Sequence, residues 1–219
     1  MNIQGVKIDY LGHSGFQIKG AEKTIIIDPY NIPLNVGRAD IILITHGHYD
    51  HCSIKDIQVL VKPGTIAITP PDAQSKIMKV KDVNLKLIAP GQKIMIDDIT
   101  IEAIPAYNIS KPYHSKSEGW VGYIIRVGDI SIYHAGDTDK IPEMTALSKY
   151  NSLIALLPVS GEYVMTAEEA AEAASIIKPA LAIPMHYGAG VAGTIDDAKK
   201  FVELCKQKEI KAQILEKLA

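Results

Sequence analysis

The chain is punctuated by short apolar runs, rich in β-branched residues, that show no polar alternation; residues 24–27 and 41–44 are two of them. A strand with one wet face alternates apolar and polar side chains, so runs like these suit strands covered on both faces. The first stops at Asp28-Pro29 and the second at Thr45, just before a group of histidines. Polar residues at the ends of sheathed strands are where an open α/β architecture builds a site.

Further strands are expected at 6–11 and 16–18, on either side of the turn-prone Gly12-His13-Ser14-Gly15, and at 65–69, 152–159 and 180–184. Asp97-Asp98 reads as a hairpin turn between two strand-like runs, and Gly128-Asp129 as another between 120–127 and 130–134. Helices are expected at 53–61 and 71–79. Another opens at Thr166, three residues before Glu169 in capping-box spacing, and a last one covers 194–208 ahead of a short strand at 213–215. Helices and strands alternate, yet hairpins in both halves imply antiparallel pairing. Two mixed sheets packed together and flanked by helices fit this order, an α/β (α+β) architecture. A plain doubly wound parallel sheet fits less well, and pattern alone leaves the choice open. The 219 residues, with no linker or low-complexity tract, suit one domain over 1–219.

A formal net charge of −2 argues against a broad phosphate-neutralising surface, so no nucleic-acid partner is expected. Two cysteines, Cys52 and Cys205, form no Cys-x-x-Cys pair and suit a reducing compartment. Residues 1–9 lack the apolar core of a signal peptide, and no apolar run approaches the ~20 residues of a membrane span. The expectation is a cytoplasmic protein without a membrane partner, with homo-oligomerisation left open.

The chemistry concentrates in His46-Gly47-His48-Tyr49-Asp50-His51, where three of the seven histidines and an aspartate fall within six residues. A lone histidine is usually structural; this spacing points to metal ligation. On extended chain His46 and His48 project to one side, and Gly47 lets the backbone turn tightly between them. Asp50 and His51 come where the chain turns towards a helix and can aim at a second point. One loop could thus serve one or two divalent ions, with Zn2+ or Mn2+ the suited metals and iron also admitted. Asp137 follows the strand 130–134, with Gly136 permitting close backbone approach, and its carboxylate could bridge two ions. His186 follows 180–184, and Asp28 could orient a metal-bound histidine from behind.

With these motifs in place the chain resembles the metallo-β-lactamase superfamily, over nearly its full length. The resemblance implies an αββα sandwich with a dinuclear site at one edge. His46 and His48 would bind the first ion, Asp50, His51 and His186 the second, and Asp137 both. Tyr-Leu-Gly-His-Ser-Gly near the start, Pro-Ala-Tyr-Asn at 105–108, Gly-Trp-Val-Gly-Tyr at 119–123 and Tyr-His-Ala-Gly-Asp-Thr at 133–138 resemble the ascorbate-6-phosphate lactonase-like branch. One departure stands out. The superfamily usually supplies a third histidine to the first ion after the strand ending near Pro105, and here Asn108 stands at that place. Either Asn108 binds weakly or through water, or the following loop brings in His114.

In that loop Lys111 is a candidate for contact with an anionic substrate and His114 for protonation of a leaving group. Tyr187, beside His186, is a candidate substrate contact, and His13 in its glycine-flanked turn a support for the site. His134 and Cys52 read as packing residues. The expected activity is metal-dependent hydrolysis of a small ester-like substrate, such as a lactone or sugar-phosphate lactone, with Asp50 handling the proton. The rivals are a phosphodiesterase or nuclease on the same scaffold and a non-catalytic metal-binding module.

Overall fold

The computed structural model describes residues 1–219. The first sheet takes seven strands in chain order: β1 (Asn2–Ile3), β2 (Val6–Gly12), β3 (Gly15–Gly20), β4 (Lys23–Ile27), β5 (Ile41–Leu43), β6 (Ile66–Thr69) and β7 (Asn84–Leu87). The second takes six: β8 (Lys93–Ile96), β9 (Ile99–Pro105), β10 (Val121–Val127), β11 (Ile130–His134), β12 (Leu153–Pro158) and β13 (Leu181–Met185). Both follow one plan. Four strands meander antiparallel, β1 to β4 and β8 to β11. The rest then add in parallel. Short turns suffice for the antiparallel pairs, whereas each parallel pair needs a crossover. Helix α1 (Ile54–Leu60), α2 (Gln74–Ile77) and α3 (Ala167–Ile177) lie in such crossovers, and α4 (Ile195–Gln207) follows the last strand. None of the helices is long and apolar enough to cross a membrane.

The unbroken apolar runs are explained by their two faces. Successive side chains on a strand point opposite ways. Ile25, Ile27, Ile41 and Leu43 pack in one cluster with Ile101, Tyr123 and Ile125 of the second sheet, between the sheets. Ile26, Ile42 and Ile44 pack on the other face with Ile57 and Leu60 of α1 and Ile77 of α2. Each such side chain contributes about 1.5–3 kcal/mol when fully buried. On the second sheet the alanine-rich face of α3, with Ala198, Phe201 and Cys205 of α4, supplies the outer cover. Two mixed sheets flanked by helices are therefore the observed architecture.

The helix starts are set locally. Thr166 accepts from the Glu169 amide while the Glu169 carboxylate accepts from the Thr166 amide, the reciprocal bonds expected from their spacing. Two expected elements differ. The helix at 71–79 is a 3-10 turn (Pro71–Ala73) followed by the single turn of α2, the tighter geometry common at helix starts. No strand forms at 213–215. The segment makes isolated bridges instead, Ala212 to Ala182 of the second sheet and Lys217 to Tyr10 of the first. It crosses from one sheet to the other, so it cannot extend a ladder on either.

Strand β10 and the turn after β11 approach closely at their glycines. A Cβ on Gly122 would lie 2.6 Å from the backbone oxygens of His134 and Ala135. Gly136 has φ +65°, and a Cβ there would lie 2.8 Å from the Val121 oxygen. Backbone cannot yield as a flexible side chain does. Gly122→Ala is expected to cost about 1–3 kcal/mol, a fall in Tm of several degrees by differential scanning fluorimetry. Gly37→Ala, where nothing lies within 4 Å, should leave Tm unchanged.

Candidate active site

Nearly every chemistry-bearing residue sits at one edge of the two sheets. Asp28 follows β4, His46 follows β5, Asp137 follows β11 and His186 follows β13; His13 lies in the turn between β2 and β3. His46 to His48 is not extended as expected; the whole segment 46–51 is a run of bends and turns, with the amides of His51 and Cys52 bonded to the His48 carbonyl. Folding back in this way is what gathers its side chains.

The buried Asp137 carboxylate lies at the centre. Its Oδ2 is 3.3 Å from His186 Nε2, 3.7 Å from His114 Nε2 and 3.8 Å from His46 Nε2, and its Oδ1 is 3.3 Å from His51 Nε2. Three overlapping sets of potential ligands result: His46, His48 and His114; His46, His51 and Asp137; and His13, Asp50, His51 and His186. In each set the ligand atoms lie within 4.8 Å of one another.

The far side of each ring is held. Thr45 Oγ1 donates to Asp28 Oδ2 at 2.7 Å, so its lone pair is left to accept from His46 Nδ1 at 3.0 Å. Asp28 Oδ2 accepts from His51 Nδ1 at 2.8 Å, and Ser160 Oγ lies 2.8 Å from His186 Nδ1. Placing the proton on Nδ1 leaves the Nε2 lone pair facing Asp137, the tautomer a metal requires. His48 instead turns Nδ1 inward, 3.1 Å from His46 Nε2. Trp120 packs on the rings of His46, His48 and His114 and walls off their side of the centre.

Charge balance supports a cation here. Burial holds His46, His48 and His114 below the usual imidazole range. Burial likewise pushes His13 down to about 4, against the pull of its bond to Asp50. Burial alone would raise Asp50 and Asp137. The bonds of Asp50 to His13 and His51, and the proximity of Asp137 to His186 and His51, hold both well below the carboxylate range. Burial opposes charge on His51, yet Asp137 and Asp28 hold it well above the imidazole range. Carboxylates packed around imidazoles need a counter-charge, which a proton or a divalent cation can supply. His51 Nε2 and Asp137 Oδ1 are buried without hydrogen-bond partners, although they face each other. Unpaired buried polar atoms are costly, and ligation would satisfy both. The donor set fits divalent metal.

Backbone strain is concentrated here too. Asp28 (φ 42°), His13 (φ 54°), His114 (φ 56°) and His186 (φ 62°) all lie in the left-handed region. For residues with a Cβ this costs of order 1–3 kcal/mol each. The strained turns of His13 and His186 are coupled, since the His186 amide donates to the His13 carbonyl at 2.8 Å.

Several sequence candidates lie elsewhere than expected. Asn108 Nδ2 donates to the Tyr163 carbonyl at 2.7 Å, while its Oδ1, the atom expected to ligate, is buried without a hydrogen-bond partner. Its backbone amide donates to the His114 carbonyl, closing a loop that sets His114 beside His46 and His48. Lys111 is paired with Asp139 and Glu169 and does not line the cavity over the centre, because the nearer carboxylates hold its ammonium. Tyr187 stacks on Tyr10, with ring centroids 5.8 Å apart, and lines a separate cavity behind the site with His13 and Tyr30. His13 is closer in than a supporting turn residue need be, its Nε2 2.9 Å from Asp50 Oδ2. His134 Nε2 donates to the Ser14 carbonyl at 2.8 Å, and the residue is fully buried. Thr45, Ser160 and Trp120 escaped the sequence reading. Thr45 and Ser160 each follow a buried strand, the one signal that could have found them.

The sequence matches the β-lactamase superfamily domain over residues 7–186. The chain belongs to the metallo-β-lactamase superfamily. It is 30% identical to a UPF0173 metal-dependent hydrolase of Koribacter versatilis, over 96% of this chain and 97% of the relative. It is 37% identical to a UPF0173 metal-dependent hydrolase of Thermoplasma volcanium, over 83% of each. A crystal structure from Parabacteroides distasonis superposes with a TM-score of 0.84 at 32% identity, covering 98% of this chain and 94% of that one. Igni18, a metallo hydrolase of Ignicoccus hospitalis, shares the fold with a TM-score of 0.79 at 24% identity, over 98% and 96%.

Cys52 follows His51 directly but points into the core against α1, and burial pushes its thiol up to about 12. Cys205 is likewise buried, with its thiol pushed up to about 11. Neither thiolate is populated at neutral pH. A thiol-disulfide reagent such as DTNB should label neither cysteine in the native protein and both after unfolding; rapid native labelling of Cys52 would show that it faces the site.

Proposed function

We propose that this chain hydrolyses small carbonyl esters, lactones among them, with one or two divalent cations held at the sheet edge. His46, His48 and His114 would hold one ion, and Asp50, His51 and His186 the other, with His13 beside them and Asp137 between. The observation that carries the reading is the shared Asp137 carboxylate, flanked by two ligand groups, with Asp50, His114 and His186 lining a cavity of about 300 Å³. Three imidazoles at the first position suit Zn2+, while the oxygen-richer second also admits Mn2+. Bound there, such cations supply an activated water and polarise the scissile carbonyl.

The protein's own groups carry the rest. Asp50 faces the cavity, and its Oδ2 is fixed by His13, so it can receive a proton from the attacking water without swinging away. Trp120 and the buried rings limit water around the centre, which strengthens every charge interaction within it. His114, assigned to the ion, is released from the acid role its loop position suggested. Its presence also removes the motive for a non-catalytic module, since the first position keeps three imidazoles. A phosphodiesterase reading has no matching basic wall in its favour.

Metal content decides the ligand assignment. His114→Ala should lower affinity at one position by ~10–100-fold or more, seen as the loss of one metal equivalent by plasma mass spectrometry after dialysis. Asn108→Ala should retain full metal content, and the opposite pattern would move the ligand role to Asn108. Activity is tested by adding Zn2+ or Mn2+ to chelator-treated protein with lactones, aryl esters and bis(4-nitrophenyl) phosphate. Metal-restored ester hydrolysis that is insensitive to salt is expected. Turnover of the phosphodiester alone, falling steeply with salt, would replace the ester reading.

A further inference from the structure

The walls of the cavity over Asp137 identify what kind of molecule it takes. No lysine or arginine lines it. Above the imidazoles and carboxylates its sides are Tyr49, Tyr113 and Tyr163, with Gly190 and Val191. Tyr113 and Tyr163 form an edge-to-face pair, with centroids 5.1 Å apart at 76°. Tyr49 is braced from behind by Tyr30, at 5.8 Å and 78°. Tyr49 and Tyr113 are 63% and 47% exposed, an unusual outlay of aromatic surface beside a buried centre.

The cations that might recognise an anion are committed elsewhere. Lys111 is held by Asp139 and Glu169, and Lys116 by Glu143 Oε1 at 3.0 Å and the Tyr107 hydroxyl at 3.2 Å. Lys76, behind the 46–51 loop, donates to the Gly47 carbonyl. The glycine-rich stretch Gly188-Ala189-Gly190-Val191-Ala192-Gly193, between β13 and α4, has the outline of a phosphate loop. Its helix start is already taken: Thr194 and Asp197 form a reciprocal cap, and Asp196 and Asp197 place carboxylates where a phosphate would sit.

We infer that the substrate is a neutral, unphosphorylated ester bearing one flat ring, with the ring gripped by Tyr49, Tyr113 and Tyr163 and its carbonyl presented to the Asp137 centre. This rests on the hydrolase reading and narrows it, excluding the sugar-phosphate lactone. The cavity, about 300 Å³, is at the small end of ligand sites and suits one or two fused rings rather than a polymer. For a cyclic aryl ester such as dihydrocoumarin, water's oxygen bonds to the carbonyl carbon and the ring C–O bond breaks. One water proton ends on the phenol oxygen, and the acid formed releases the other.

The test compares metal-loaded protein on dihydrocoumarin, ring-less ethyl acetate and the anionic 6-phosphogluconolactone. Dihydrocoumarin should have at least a tenfold higher kcat/KM than the phosphorylated lactone. Tyr113→Ala should lower the dihydrocoumarin to ethyl acetate ratio by about 3–10-fold through KM, as the loss of one aromatic contact implies. Tyr113→Lys should move preference towards the phosphorylated lactone. Binding of 2-tetralone, the non-hydrolysable ring analogue, is followed by saturation-transfer NMR in parallel, with 2-naphthalenesulfonate as the anionic control. If no ester turns over while 2-tetralone binds and Tyr113→Ala weakens it, the hydrolase reading fails and the ring specificity stands. Preference for either anion, or equal binding of 2-tetralone by wild type and Tyr113→Ala, overturns the inference.

Discussion

The structure turns on one buried carboxylate. Asp137 is 3% exposed and has four imidazole nitrogens within 3.8 Å. Burying an ionised carboxylate without compensation costs several kcal/mol, so its surroundings must supply partners from every side. Those partners come from the ends of β5, β9 and β13 and the loops beyond them, and no single segment could provide them. The two sheets must therefore be packed face to face, with these strand ends brought together, before the charge is balanced. Gly122 and Gly136 matter for that reason: they let β10 and the turn after β11 approach until Asp137 reaches its position.

The doubled plan of the sheets brings these groups to one place, and left-handed backbone at Asp28, His13, His114 and His186 completes the turns that carry them. In each sheet an antiparallel meander gives way to parallel strands, and the parallel strands all point their carboxyl ends to the same edge. Asp28 and Thr45 arrive from one sheet and Asp137, Ser160 and His186 from the other. The hydrogen bonds Thr45 to Asp28 and His51 to Asp28 then tie the two loops after β4 and β5 into one rigid support. Rigidity of this kind fixes which imidazole nitrogen faces inward.

Much of the fold was legible because its signals are local. Uninterrupted apolar runs marked β4 and β5, turn residues marked the hairpins, and Thr166 with Glu169 marked the start of α3. β7 was not legible: Asn-Leu-Lys-Leu is a half-exposed edge strand whose identity depends on pairing with β6. The long 3-10 segment Pro142–Lys149 carries no strong period and was missed for a similar reason. At the site, residues 46–51 are neighbours in sequence and in space alike, so their clustering could be read directly. The tyrosines of the cavity come from three separate loops, and nothing in their spacing announces that they meet.

The contrast between Asn108 and His114 shows where spacing stops being informative. Counting residues from the end of β9 selects Asn108, and a regular continuation of the strand would place it near His46 and His48. The chain instead closes a loop through the Asn108 amide and the His114 carbonyl, with His114 held at φ 56°. That closure spends backbone strain and sets an imidazole, six residues later, where counting had placed an amide. The Asn108 side chain then anchors the Tyr163 backbone, coupling the loop that carries His114 to the one that carries a wall of the cavity. Ligand position and cavity shape are thus adjusted by the same residue. A displacement of Asn108 would therefore move His114 and the Tyr163 wall together.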